Sequence, residues 1–324
     1  MKAHALVAFC AVVSIAACDV PRGDRIGFLL STLQEERYQK DRRYFEAAAK
    51  KLGMATLTLS ADNDSARQLA QVEDALARGA KVLVIQPTDS AAAGAFVGKA
   101  HAQGAKVVAY DRSIAGADVY VAHDSYRIGV MQAEQAIAAT GGRGNYVLLH
   151  GQSGHSVARE IARGVRDTLG PYLARGEITI VVEKNHDAWS PEQALTTVED
   201  AISKTGGKID AILADNSGMA RGAVQAIQAA GLGAHPPFIA GADADAANVN
   251  YVCEGKQTVE ILKDIRPLAE RAAAVAVALA QGQPAGDDDG VIEVPVVLVT
   301  RANVGALVVD SGFHAASALP ACTH

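Results

Sequence analysis

The sequence predicts an α/β protein built as two doubly wound parallel-sheet lobes joined by a three-segment hinge. Three observations carry this. From residue 24 onward, short runs of near-continuous hydrophobicity alternate with segments of helical period, the pattern of a parallel sheet covered on both faces. The alternation pauses and restarts around residues 118 to 125, so the pattern occurs twice. The elements after residue 256 exceed what the second lobe needs, so the chain is expected to return to the first lobe and cross back once more.

In order, "RIGFLLS" (25 to 31) reads as a strand leading to a helix near 35 to 52, and "MATLTLS" (54 to 60) leads to one near 64 to 78. "KVLVIQP" (81 to 87) leads to a helix near 89 to 103, and "AKVVAYDR" (105 to 112) closes the series. After "DVYVAHDS" (118 to 125) come a helix near 125 to 139, "NYVLLHG" (145 to 151), a helix near 156 to 174 and "EITIVVEK" (177 to 184). The next helix, near 190 to 204, has Ser190 as cap, Pro191 at its first position and Gln193 closing a capping box. "IDAILAD" (209 to 215), a helix near 217 to 230, "FIAGAD" (238 to 243) and a helix near 245 to 254 complete the second lobe. "KQTVEILKDIRPL" (256 to 268) then reads as a strand entering a long Ala-rich helix, 266 to 282, and "VIEVPVVLVT" (291 to 300) as a strand pair. The predicted division is 25–122 plus about 258–290 for the N-terminal lobe, and 123–257 plus about 291–324 for the C-terminal lobe.

Ahead of these lobes, residues 1–17 read as an export signal and 18–24 as a tether. Lys2 precedes the apolar run "ALVAFCAVVSIAA", which is too short and wrongly flanked for a spanning helix. "IAAC" (15 to 18) resembles the bacterial lipobox, which implies a lipid on the sulfur of Cys18 and a mature chain that starts there. An ordinary secretory signal cut nearby is the other reading, and it too sends the protein out of the cytoplasm. Asp19 behind the cysteine resembles an inner-membrane retention signal. The expectation is a monomer in the periplasm, lipid-anchored to the inner membrane. With Cys10 lost and Cys18 lipidated, Cys253 and Cys322 remain as a candidate disulfide in an oxidising compartment.

Composition excludes several functions. Thirty basic residues against thirty-six acidic ones offer no field for a polyanion, so no nucleic-acid partner is expected. The nine histidines show no metal-ligand spacing, "DDD" (287 to 289) reads as a solvated loop, and no cofactor motif is present. "HGQSGH" (150 to 155) has His155 where a nucleophile elbow needs glycine, so no enzyme is expected.

Ligands of open parallel sheets bind beyond the carboxyl ends of the strands. Those ends carry Arg37, Asp111, Arg112, "HGQSGHS" (150 to 156), Asn185 to Trp189, Asp215, Asn216, Asp243, Asp245 and Lys263. Carboxylates, amides and guanidinium forks, with a single Trp to stack on a sugar's C–H face, suit a neutral polyol. Taken singly, Asp111 and Arg112 also read as a structural ion pair, Asp215 and Asn216 as a helix cap, and Trp189 as core.

The strings "ERYQKDRRYF", "AYDR", "WSPEQAL", "GKIDAILADN", "GADAD", "KQTVEILK" and "DSGFH" resemble the type I, ribose-binding-like periplasmic binding proteins, and most of all the D-xylose binders of ABC importers. The resemblance runs from about residue 25 to 314. It implies capture of a monosaccharide, foremost D-xylose, by clamp closure and delivery to a membrane ABC permease. A different pentose, a hexose, inositol or a sugar-sensing role beside a membrane receptor kinase is the alternative. It also implies that Arg37, Asp111, Arg112, Asn216, Asp243 and Lys263 bond the sugar hydroxyls and that Trp189 stacks on the ring. The sequence departs from the xylose binders twice. Tyr38 stands in place of a second tryptophan, and "GQSGHSVARE" lacks an expected asparagine, which brings His155, Ser156 and Val157 into consideration. In the first predicted helix, Tyr38, Phe45, Ala48 and Leu52 are expected against the sheet, with Lys40, Arg43 and Glu46 facing water.

Overall fold

The computed structural model describes residues 25–286 and 290–322. The export signal, Cys18, Asp19, the tether and the "DDD" run lie outside the described residues.

The first lobe opens with β1 (Arg25–Leu30), α1 (Glu36–Lys51), β2 (Ala55–Ser60), α2 (Ser65–Ala77), β3 (Ala80–Ile85), α3 (Gly94–Ala102), β4 (Lys106–Tyr110) and β5 (Val119–His123). The second runs through α4 (Ser125–Thr140), β6 (Gly144–His150), α5 (Ser156–Ala174), β7 (Ile178–Asn185), α6 (Pro191–Thr205), β8 (Ala211–Ala214), α7 (Ser217–Ala229), β9 (Phe238–Ala242), α8 (Ala246–Glu254) and β10 (Val259–Lys263). Then come α9 (Ile265–Ala280), β11 (Val291–Val294) and β12 (Val296–Val299). The first sheet has the order β2-β1-β3-β4-β5-β11 and the second β7-β6-β8-β9-β10-β12. All pairs are parallel except β12, which runs antiparallel to β10.

Two lobe boundaries differ from the sequence reading. β10, read as the start of the return to lobe one, pairs with β9 in the second sheet, and β11, read as part of lobe two, pairs with β5 in the first. Sheet membership is set by which strand offers a free edge, and the local hydrophobic pattern of a buried strand does not record it. The crossings therefore fall at Asp124, Asp264 and Pro295. Asp124 and Asp264 cap α4 and α9, each accepting a backbone N–H through its side chain. Pro295 has no N–H to give a ladder, which ends β11 in one sheet before β12 begins in the other. His123 Nε2 lies 3.1 Å from the carbonyl oxygen of Asp264, so two of the crossings are bonded to each other.

Helix α9 shows why the chain returns. Leu268, Ala269, Ala272, Ala273 and Ala276 are buried in one cluster with Ile26, Phe28, Val84 and Tyr110 of the first sheet. Small residues at helical spacing let α9 lie close to that sheet and to α1. On α1 the buried stripe is Tyr38, Asp41, Phe45 and Ala49, whereas Ala48 is half-buried and Leu52 is 47% exposed. A carboxylate inside the stripe displaced the expected apolar register, because Asp41 pairs with Arg37 and receives the Tyr110 hydroxyl.

The C-terminal tail packs onto α8. Leu319, Val304 and Val308 share a buried cluster with Val249 and Cys253, and a Cys253–Cys322 disulfide with Cα atoms 5.2 Å apart ties the tail down.

Candidate functional site

The site forms where the carboxyl ends of both sheets face each other. From lobe one, the first turn of α1 presents Arg37 and Tyr38, and the turn after β4 presents Asp111 and Arg112. Asp111 has φ 61°, a left-handed turn that aspartate tolerates better than most residues. Its carboxylate accepts Nη2 of Arg37 at 3.0 Å and Nε2 of Gln86 at 3.2 Å. Arg112, fully buried, donates to the Tyr38 hydroxyl at 2.9 Å and to the Pro87 carbonyl at 2.8 Å. Arg37 is backed by Asp41 at 3.4 Å.

From lobe two, Asp243 follows β9 with φ 99°, and Lys263 ends β10. Lys263 Nζ lies 3.3 Å from Asp243 and 3.7 Å from Asp111, and Arg37 Nη1 lies 3.5 Å from Asp243. These contacts close a ring of alternating charge, Arg37–Asp111–Lys263–Asp243, across the two lobes. Burial pushes the Asp111 carboxyl up, but Arg37, Lys263 and Arg112 together hold it well below the usual carboxylate range. Behind the ring, desolvation raises Asp41 to about 6 despite its Arg37 partner.

Trp189 comes from the turn between β7 and α6. Ala188 and Trp189 both have left-handed backbones, φ 51° and 57°, a strained pair of the kind that gathers at functional turns. Ser190 caps α6 through its hydroxyl, but Gln193 Oε1 accepts from Asp187 N at 3.1 Å, bracing the Trp189 turn instead of closing the expected capping box. The indole lies on Gly151, where any Cβ would stand 2.5 Å from the ring. Asn216 caps α7 by accepting Met219 N at 2.8 Å through Oδ1, which leaves its side-chain nitrogen outside the cap.

Eight of the predicted residues, Arg37, Tyr38, Asp111, Arg112, Trp189, Asn216, Asp243 and Lys263, line one space of about 340 Å³, part of it open to solvent. His155 does not line it. It is buried behind Trp189, whose Nε1 donates to His155 Nδ1 at 2.7 Å, while His155 Nε2 reaches the Thr88 carbonyl at 2.8 Å. An indole nitrogen only donates and a carbonyl only accepts, so the proton sits on Nε2 and the imidazole is neutral. Burial and the Arg112 charge push its pKa down to about 3. His155 therefore links the Trp189 wall to lobe one as a positioning residue, correcting its expected place among the sugar contacts. Three lining residues lay outside the predicted set: Glu35, Val157 and Asp215. Asp215 was visible as a strand-end residue, and Val157 lies in the stretch that lacks the expected asparagine. Nothing in the sequence marks Glu35.

The lobes meet on both sides of the cleft. Ser90 N donates to the Gly154 carbonyl at 3.1 Å and Ser113 N to the Ser156 hydroxyl at 2.9 Å. On the other side, Lys40 Nζ lies 4.2 Å from the centre of the Phe313 ring. Lys40, expected to face water, thus reaches lobe two. Among the described residues no cluster of three metal-ligating side chains occurs, and no helix is long and apolar enough to cross a membrane.

The model of the periplasmic binding protein domain matches residues 26–284. The chain belongs to the periplasmic binding protein family. It is 37% identical over 306 residues to the D-xylose-binding periplasmic protein of Escherichia coli strain K12, covering 91% of this chain and 92% of that protein. It is 34% identical over 301 residues to the D-xylose-binding periplasmic protein of Haemophilus influenzae, covering 90% of each. Among solved structures, an ABC transporter solute-binding protein of Clostridium phytofermentans with bound β-D-glucose superposes with a TM-score of 0.84 at 27% identity, covering 91% of this chain and 99% of that one. In this periplasmic binding protein the charged ring and Trp189 lie in the cleft between the two lobes.

Proposed function

We propose that this protein captures a monosaccharide, foremost D-xylose, in the periplasm by closing its two lobes, and delivers it to an ABC permease. The observation that carries the reading is the composition of the shared cavity. Four carboxylates, three cations and an amide supply donors and acceptors from both lobes, and one indole supplies a flat apolar wall. Ring hydroxyls need both kinds of partner, and the hydrogen-bearing carbons between them need the wall. Xylose is favoured by the relatives from Escherichia coli and Haemophilus influenzae, whose names state that ligand. Tyr38 and Val157 favour a second reading, a hexose or another polyol, because they reshape the two positions where this chain departs from the xylose pattern.

The same reading makes the protein a binder without chemistry. Asp111, held ionised by Arg37, Lys263 and Arg112, has no proton to offer a glycosidic oxygen. The lipid on Cys18 would keep a monomeric protein at the inner membrane beside its permease, more firmly if multiply acylated. The test is calorimetric titration of a soluble chain beginning at Asp19, freed of co-purified sugar by unfolding and refolding. D-xylose, L-arabinose, D-ribose, D-glucose, D-galactose and myo-inositol are the ligands. Binding of xylose in the micromolar range or tighter, about −8 kcal/mol or stronger, is expected. Binding of another member alone selects the second reading, and silence toward all six overturns both.

A further inference from the structure

Glu35 sits where the cavity opens into a wider vestibule. That vestibule, about 1180 Å³ including open solvent, shares Glu35, Arg37, Trp189, Asn216 and Asp243 with the cavity. Among the described residues six buried side-chain polar atoms meet no hydrogen-bond partner, and two of them, Glu35 Oε2 and Arg112 Nε, belong to residues lining this one space. Arg112 is otherwise fully engaged, its terminal nitrogens tied to Tyr38 and Pro87. Buried polar atoms are rarely left without partners, and a pair beside one ligand cavity points to atoms of the ligand. Burial also holds the Glu35 carboxyl above its usual range, against the pull of its own backbone amide and of Arg112.

We propose that Glu35 is a specificity-determining contact whose Oε2 accepts a hydrogen bond from the ligand hydroxyl facing the vestibule, while Arg112 Nε donates to an oxygen of the same ligand. This rests on the sugar reading and deepens it, since it names a residue that no motif in the chain marks. It requires a free hydroxyl at that position of the ligand. A methyl ether or a deoxy carbon there offers Glu35 Oε2 no donor.

The test titrates the parent, Glu35→Leu and Glu35→Gln with whichever of the six sugars binds tightest, and with its monodeoxy forms. Glu35→Leu is expected to weaken binding about tenfold or more, and Glu35→Gln, which keeps an acceptor, by less. One monodeoxy form should bind the parent about tenfold more weakly than the full sugar, yet lose nothing further in Glu35→Leu. The ligand-free Glu35→Leu protein should melt no lower than the parent, because the substitution removes a buried, unpartnered oxygen. Affinity of Glu35→Leu within about twofold of the parent overturns the assignment, as does a lowered melting point in step with lost affinity, or deoxy effects that simply add. In each of those cases the parent still binds sugar, so the sugar reading survives. A parent silent toward all six sugars overturns that reading and the Glu35 assignment with it.

Discussion

The two walls of the cleft are built differently. Lobe one holds Arg37, Tyr38, Asp111 and Arg112 in a network anchored inside that lobe, by Asp41, Gln86 and the Pro87 carbonyl. Lobe two offers Asp243, Lys263 and Trp189 from strained turns and strand ends; Lys263 pairs with Asp243 at 3.3 Å and Trp189 with His155 inside that lobe, and both pairs also reach across the cleft, to Arg37, Asp111 and Thr88 of lobe one. The lobe-one contacts are thus mostly internal, whereas those of lobe two are shared with the facing lobe. Preorganised groups recognise a ligand at low cost, while groups completed by closure couple binding to movement.

Substitutions should separate the walls. Arg37→Ala removes the cation shared by Asp41, Asp111 and Asp243 and leaves buried carboxylates uncompensated, so about a hundredfold or greater loss of sugar affinity is expected in calorimetry, roughly 3 kcal/mol. Retention of affinity within about twofold would show that the lobe-one network is merely structural. Replacing both Cys253 and Cys322 by serine should lower the stability of the protein by roughly 2–4 kcal/mol in urea unfolding, with sugar affinity unchanged, because the bond ties the tail to α8 away from the cleft.

Trp189→Ala should cost about 2 kcal/mol of binding, some thirtyfold. Gly151→Ala leaves the indole in place chemically but drives a methyl into it, and a loss of about tenfold is expected. Trp189 is the chain's single tryptophan, so a shift in its fluorescence in Gly151→Ala, before any sugar is added, checks the cause directly.

The smallest effect is a pH slope from a carboxyl outside the ring. Glu260 is buried beside Ser217 and Gln257, and burial raises it to about 8 over their opposing hydrogen bonds. The folded state then holds a proton that the unfolded chain releases near 4.5, so this group's contribution to stability is complete below that pH and falls as pH rises toward 8. Glu260→Gln should flatten the decline in melting temperature between pH 6 and 9; an unchanged slope would mean that Glu260 is ionised in the fold.

Much of this was legible in the sequence because strands of continuous hydrophobicity and helices of amphipathic period report burial directly. Strand ends also come with the strands, which is how Asp111, Asp243 and Lys263 could be named together. What escaped depends on contacts between distant segments. β10 and β11 look alike as local patterns, and only edge pairing assigns them to opposite sheets, although Pro295 between β11 and β12 was a visible break. Asp41 is buried on a helix face where spacing favoured Ala48 and Leu52, since its burial follows from Arg37 and Tyr110. His155 was expected among the lining residues and lies one layer behind them, because a histidine between an indole nitrogen and a carbonyl is recognised only by geometry.

The direct test of one site completed by closure is small-angle X-ray scattering of the sugar-free protein, with and without saturating amounts of the tightest-binding sugar. A smaller radius of gyration on adding sugar in the parent, absent in Asp243→Ala at the same sugar concentration, is the expected result. An unchanged radius in a parent that calorimetry shows to be saturated would contradict the clamp.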